Sequence, residues 1–167
     1  QWDQAVKGNS ALLTALRSLL RDEFYTLNGE GVVNVFLDIR KFYDQIDWRR
    51  LLLRGRQNRF PFNILVMSCI AHLSPRVLRL NHQYSKTIQP IRGVVAGDAQ
   101  AKSLAKAILY HILYRVSVTP NAAASETYVD DLKQTSHNES RDLVIRQAVD
   151  SAIAIYEALQ AENFVMS

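Results

Sequence analysis

Apolar positions recur along the chain in two rhythms. "SALLTALRSLLRDEFYTL" places Leu12, Leu13, Leu16, Leu19, Leu20 and Leu27 at helical spacing behind Ser10, a suitable N-cap, and predicts an amphipathic helix. "NGEG" breaks it, and "VVNVFLDI", β-branched and mostly apolar, predicts a buried strand. "RKFYDQIDWRRLLLRGRQ" returns to helical composition, weakened at Gly55, with Asp44 a candidate cap for the next helix. "PFNILVMSCIAHL" opens on Pro61, stops before Ser74-Pro75 and suits a buried helix. "RVLRLNHQYSKTIQPI" alternates as a hairpin would, with its turn near His82 to Ser85. "GDAQAKSLAKAILYHILYRVSV" predicts a helix of about twenty residues. After the loop "TPNAAAS" comes a strand unit holding "ETYVDDLKQ". "SRDLVIRQAVDSAIAIYEALQAENF" closes the chain as an amphipathic helix through Leu143, Val144, Val149, Ile153, Tyr156 and Leu159. This order predicts an α+β fold, with helices packed on one face of a small, mostly antiparallel sheet.

Composition narrows the class. A chain of 167 residues, 48% hydrophobic and 22% charged, is long enough to bury a core as one domain and does not have the make-up of a disordered segment. The single cysteine, Cys69, has no internal partner and sits in an apolar run, which predicts a packed residue and fits a reducing, intracellular compartment, cytoplasmic or nuclear. No apolar run approaches the roughly eighteen residues of a membrane span and no signal peptide is visible, so a soluble chain is expected. A start at Gln1 and a stop at Ser167 directly after an apolar segment suggest a fragment.

The net charge of +4 hides an asymmetry. Arg40 to Arg92 holds eleven Lys/Arg against two acids, whereas Thr119 to Ser167 holds three against eight. Arg49, Arg50, Arg54, Arg56 and Arg59 fall in a predicted helix, where they form either a cationic face for a polyphosphate or a solvated surface. His72, His82, His111 and His137 lack zinc-site spacing and are expected to be satisfied or exposed. Trp2 and Trp48 suit packing at helix ends or stacking on bases.

Three aspartates stand out, because aspartate is depleted from strands. Asp38 ends one apolar strand, and Asp130-Asp131 lie at the tip of another unit. One reading makes them turn or cap residues, since aspartate tolerates a left-handed backbone. The other gathers them around a divalent cation such as Mg²⁺, which takes hard oxygen ligands and would offset their mutual repulsion.

"FLDIRKFYDQID" resembles motif A of reverse transcriptases, in which an apolar strand ends in a metal-binding aspartate followed five positions later by an aromatic; "YVDD", Tyr128 to Asp131, resembles their motif C. The two stand in the family's order, with a helical segment where motif B belongs, and Lys41 and Asp44 after Asp38 are closest to non-LTR retrotransposon and group II intron-like enzymes. The resemblance covers nearly the whole chain and implies a polymerase palm, 1–167, without most of the fingers and all of the thumb. It implies RNA-directed DNA synthesis with two Mg²⁺ ions, or Mn²⁺, held by Asp38, Asp130, Asp131 and the Ile39 carbonyl, and an RNA template, a DNA primer and dNTPs as partners. Arg40 and Lys41 would meet the triphosphate, Phe42 and Tyr43 would line the nucleotide, with Tyr43 as the gate against a 2′-hydroxyl, and Tyr128, Gly97 and Asp98 would complete the substrate site. Motif B departs from the family pattern: Ala96 replaces the expected Gln and Ala101 stands near the expected Ser, leaving the Gly97 backbone and the helix N-terminus to approach a nucleotide, with Lys102, Ser103 and Lys106 as substitutes. An alternative is a catalytically degenerate palm that binds nucleic acid or protein. An RNA-directed RNA polymerase fits less well, since its motif C usually reads Gly-Asp-Asp.

Overall fold

The computed structural model describes residues 10–118, 123–128 and 131–167. Trp2, the start of the "TPNAAAS" loop and Asp130 lie outside the described residues. In chain order the elements are α1 (Ala11–Leu27), β1 (Gly31–Asp38), α2 (Phe42–Gln45), α3 (Trp48–Gln57), α4 (Phe62–Leu73), β2 (Arg79–Leu80), β3 (Gln83–Tyr84), α5 (Ala101–Ser117), β4 (Ala124–Tyr128), β5 (Asp131–Asn138) and α6 (Arg141–Ala161). They fall into two compact units, one formed by Gln1–Arg40 with Tyr110–Ser167 and the other by Lys41–Leu109.

The first unit is built on a three-stranded antiparallel sheet in the order β1-β5-β4. Register runs from Gly31 opposite Asn138 to Asp38 opposite Asp131. Side chains alternate across a strand, so Leu132, Gln134 and Ser136 share one face with Val33, Val35 and Leu37, and Lys133, Thr135 and His137 share the other with Phe36, Asn34 and Val32. The first face receives α6, where Gln134 Nε2 donates to Ser151 Oγ at 2.9 Å. The second receives α1, whose Asp22 accepts from Asn34 Nδ2 at 2.8 Å and from Lys133 Nζ at 2.9 Å. The α+β architecture with its small antiparallel sheet is as expected, but helices pack on both faces of the sheet, and polar groups they cover are paired across each contact.

The two helices on the sheet, α1 and α6, bury less of their expected apolar side than periodicity predicts. Ser10 caps α1 as expected, its Oγ accepting from Leu13 N. The leucines that define its apolar stripe are exposed, Leu12 and Leu27 at 80% each, with Leu19 bordering the space between α1 and the sheet, while Ser18 is buried. On α6 Val144 and Leu159 are buried as expected, together with Ala148, Ser151, Ile155 and Ala158, whereas Leu143, Val149, Ile153 and Tyr156 are exposed. Beyond α6 the chain returns antiparallel to the end of β1: Arg40 N donates to Val165 O at 3.1 Å and Ser167 N to Asp38 O at 3.1 Å, around an Ile39–Met166 bridge.

In the second unit the predicted long helix breaks into α2 and α3 at Ile46. Asp47, not Asp44, caps α3, its Oδ1 accepting from Arg50 N at 3.0 Å. Gly55 is the contact point between α3 and α4, since an added Cβ would lie 2.7 Å from Leu65 Cδ2. The hairpin turns at Asn81 and His82, both with positive φ, just ahead of the expected position. Only Leu65, Ser68 and His72 of α4 are buried, so this helix too is less covered than its composition suggests. His72, 5% exposed, stacks on Trp48 and accepts from Val95 N through Nδ1, a satisfied core histidine as expected. Trp48 packs there as a helix-end residue, its Nε1 donating to Gly93 O at 2.9 Å.

Candidate active site

β4, "ASETY", and β5, "DLKQTSHN", carry few strand-forming residues and are held as an antiparallel pair from Ala124 opposite Thr135 to Tyr128 opposite Asp131. The pairing delivers Asp131 as the first residue of β5, opposite Tyr128 on one side and Asp38 on the other. The two aspartates, 93 residues apart in the chain, therefore occupy one register position on one face of the sheet. Opposed residues in an antiparallel pair have Cα atoms roughly 4.5–5.5 Å apart, a separation at which like charges are destabilising unless a cation or donor sits between them. Asp38 Oδ2 accepts from Ser167 Oγ at 2.6 Å. Both aspartates are exposed and contribute to the wall of a cavity of 670 Å³ between α1 and the sheet, lined otherwise mainly by Ala11, Ala15, Leu19, Phe36, Leu37 and Leu132. Phe36, 74% exposed, lies two residues before Asp38 and 5.8 Å below the Lys133 ammonium.

A charged network adjoins this cavity. Arg21 grips Glu126 at 2.7 and 3.4 Å and reaches Thr135 Oγ1, while Lys133 bonds Ser18 and Asp22. Burial pulls the Asp22 pKa up, but hydrogen bonds from Lys133 and Asn34 and the charges of Lys133 and Arg21 outweigh it, leaving the carboxyl below its ordinary range. Burial likewise opposes the Arg21 charge, and the Glu126 hydrogen bond and neighbouring carboxylates overcome it, so the guanidinium pKa is raised. At Cys69 burial alone acts and pushes the thiol up, away from nucleophilic reactivity.

The remaining predicted positions divide between the units. In the first, Ile39 is buried and bridged to Met166, and Arg40 is exposed. In the second, Lys41 adopts a left-handed backbone, with φ 46°, at the entry to α2. Phe42 is 2% exposed, so its side chain serves the core of this unit and is withheld from a surface ligand, contrary to its expected substrate role. Tyr43 is half-buried and its carbonyl accepts from Val94 N at 2.9 Å. Gly93 N donates to Ile46 O at 2.8 Å, and at φ 93° a Cβ there would stand 3.3 Å from Asp44 Cα. The segment at Tyr43–Ile46 and the loop at Gly93-Val94 are thereby joined through backbone that favours glycine. Gly97 has φ 90° with open space around it, and Asp98 Oδ1 accepts from Gln100 N at 2.8 Å at the start of α5. Ala96 is exposed and Ala101 buried. Tyr128 ends β4. Among the described residues, no group of three or more His, Cys, Asp or Glu is placed to hold a metal ion. Asp38 and Asp131 nonetheless supply the hard oxygen donors that Mg²⁺ takes, from a paired register position.

Sequence reasoning missed Ser167, the hydroxyl donor to Asp38, and the Arg21–Glu126 and Asp22–Lys133 pairs beside the cavity. The short apolar run Phe164-Val165-Met166 before Ser167 is the nearest signal to the first, as a segment able to bridge to a strand. The ion pairs have no local signature.

No protein-family description matches the chain. No curated protein matches it either. Among solved structures it is similar to an apo telomerase from Candida tropicalis, truncated from its C-terminal domain, with a TM-score of 0.61 and 14% identity over 95% of this chain. The chain spans 35% of the length of that telomerase chain. At this identity the likeness is one of fold: the α+β arrangement around the β1-β5-β4 sheet is telomerase-like. Among the described residues no helix is long and apolar enough to cross a membrane.

Proposed function

We propose that this chain is the palm of an RNA-directed DNA polymerase, a reverse transcriptase that extends a DNA primer on an RNA template. The observation that carries the reading is the pairing of Asp38 with Asp131 at the ends of two strands, with Asp130 next to Asp131 in the sequence. Asp38, Asp130 and Asp131, with the Ile39 carbonyl, would hold two Mg²⁺ ions, Mn²⁺ being an alternative; when bound, such ions lower the pKa of a 3′-hydroxyl and neutralise a triphosphate. The chain's own residues do the positioning. Ser167 orients the Asp38 carboxylate through its hydroxyl. The Gly93 loop fixes the backbone of Tyr43, which selects a deoxyribose by leaving no room for a 2′-hydroxyl. Arg40 and Lys41 favour the triphosphate electrostatically, and the Gly97 turn with Asp98 at the start of α5 faces the base pair being formed. Tyr128, beside Asp131 in register, completes the site. Lys41 and Asp44 after the first carboxylate favour a retrotransposon or group II intron-like source.

The test is primer extension on an RNA template by the full polypeptide carrying this chain. Asp38→Asn or Asp130→Asn abolishes Mg²⁺-dependent extension with the fold intact, and extension at the parental rate by either variant overturns the metal assignment. Tyr43→Val raises ribonucleotide incorporation relative to deoxyribonucleotide; an unaltered ratio returns Tyr43 to a packing role. A second reading, a palm that binds nucleic acid without catalysis, draws on Ala96 and Ala101 in motif B. It is the outcome if the parental polypeptide binds template and primer but never extends them.

A further inference from the structure

The charge asymmetry of the sequence coincides with the division into units. Lys41–Leu109 carries twelve Lys/Arg against three acids, a net +9, whereas the other unit carries eight against thirteen, a net −5. Within the basic unit α3 has two sides. Trp48, Leu51 and Gly55 are buried, and Arg49 and Arg56 stand on the exposed side, followed by exposed Arg59 just past the helix end. Among the described residues no carboxylate is joined to Arg49, Arg56 or Arg59, and Asp47 is tied to the Arg50 backbone as the helix cap.

Helix stability does not account for this pattern. Arg56 in the last turn complements the helix dipole, but Arg49 in the first turn opposes it, and that turn contains no acid. Seven residues separate the two, about 10.5 Å along the axis at roughly 1.5 Å per residue. That separation lets the two guanidinium groups meet different phosphates of a nucleic-acid backbone. We infer that the outer face of α3, through Arg49, Arg56 and Arg59, binds the phosphate backbone of a nucleic acid. The inference rests on the nucleic-acid part of the proposed function and is independent of its chemistry. Guanidinium groups suit the task because they stay charged and present a planar fork of donors to phosphate oxygens. Contacts to the backbone alone make the face indifferent to base sequence.

The experiment is anisotropy of a labelled RNA–DNA hybrid titrated with the 167-residue chain at several KCl concentrations without Mg²⁺. Each phosphate neutralised adds about 0.9 to the slope of log K against log salt, so R49Q/R56Q flattens the slope by up to about 2 and weakens binding at 0.15 M salt by roughly tenfold or more. R141Q/R146Q removes the same charge from exposed positions of the acidic unit and leaves slope and affinity as in the parent. R49K/R56K keeps the charge and retains most of the slope, which separates backbone contact from a folding defect. An unchanged slope in R49Q/R56Q, or equal flattening in R141Q/R146Q, overturns the inference. Loss of extension in Asp38→Asn bears on the polymerase reading and does not move this slope, so either proposal can fail alone.

Discussion

Asp22 brings a carboxylate into the contact between α1 and the sheet, where Lys133, Asn34 and Arg21 hold it ionised. Its folded pKa lies below the unfolded value of about 3.9, so its contribution is complete above that pH and is lost as pH falls through the folded value. Asp22→Asn therefore lowers stability at pH 7 by about 1–3 kcal/mol, the usual cost of stranding charged hydrogen-bond partners. In denaturant titrations from pH 7 to pH 2 the gap between parent and variant closes only below about pH 4; a constant gap would mean that Asp22 acts through packing. Gly93→Ala forces a Cβ to 3.3 Å from Asp44 Cα at φ 93° and costs about 1–3 kcal/mol by the same titration. These residues differ in how far the sequence reveals them. Asp38 stands out because an aspartate at the end of the apolar run of β1 goes against strand propensity, whereas Asp131 opens a mostly polar strand and its pairing with Asp38 is visible only in the register. Asp22 and Arg21 look like ordinary surface charges of a helix, since their partners Lys133 and Glu126 lie 111 and 105 residues away.

At the scale of elements, periodicity located the helices well but misoriented α1 and part of α6. A hydrophobic stripe marks the buried side only when the surface it meets is apolar, and the sheet presents Asn34, Lys133 and Thr135 to α1 and Gln134 to α6. Ser18, Arg21 and Asp22 satisfy the first surface, and Ser151 with flanking alanines satisfies the second. Leu12→Gln and Leu27→Gln should accordingly change stability by no more than about 0.5 kcal/mol, the range for surface positions, although each removes a large apolar side chain. A loss of 2 kcal/mol or more on urea unfolding, typical of a buried leucine at roughly 2–5 kcal/mol, would show that this side of α1 is covered. The break between α2 and α3 was also hidden, because Ile46 and Asp47 carry helical neighbours on both sides and only the Asp47 cap marks the new start. Gly55, which weakens α3 by propensity, is kept by geometry. Gly55→Ala gains up to about 1 kcal/mol of helix propensity, yet drives its methyl to 2.7 Å from buried Leu65, and overpacking costs about 1–3 kcal/mol, so the net change is destabilising. Leu65→Val in the same chain should relieve part of that cost, a coupling that a double-mutant cycle measures.

Across the whole molecule the two kinds of chemistry belong to different units: the paired aspartates to the acidic one, and the exposed Arg49, Arg56 and Arg59 to the basic one. The telomerase-like fold spans both, at 95% of the chain, and leaves the use of the carboxylates to experiment. Kinetics separates the contributions, because a group that acts only in the transition state lowers kcat and kcat/KM together, whereas one that binds template equally throughout raises KM alone. Asp38→Asn should remove turnover while the affinity for an RNA–DNA hybrid stays within about a factor of two, since the phosphates meet cations of the other unit. R49Q/R56Q should raise the template KM about as much as it weakens binding, and added salt should raise the parental KM more steeply than that of the variant. A fall in kcat at saturating template for R49Q/R56Q would mean that α3 also aligns the primer terminus, because charge that serves only to hold the duplex is felt equally in the ground and transition states.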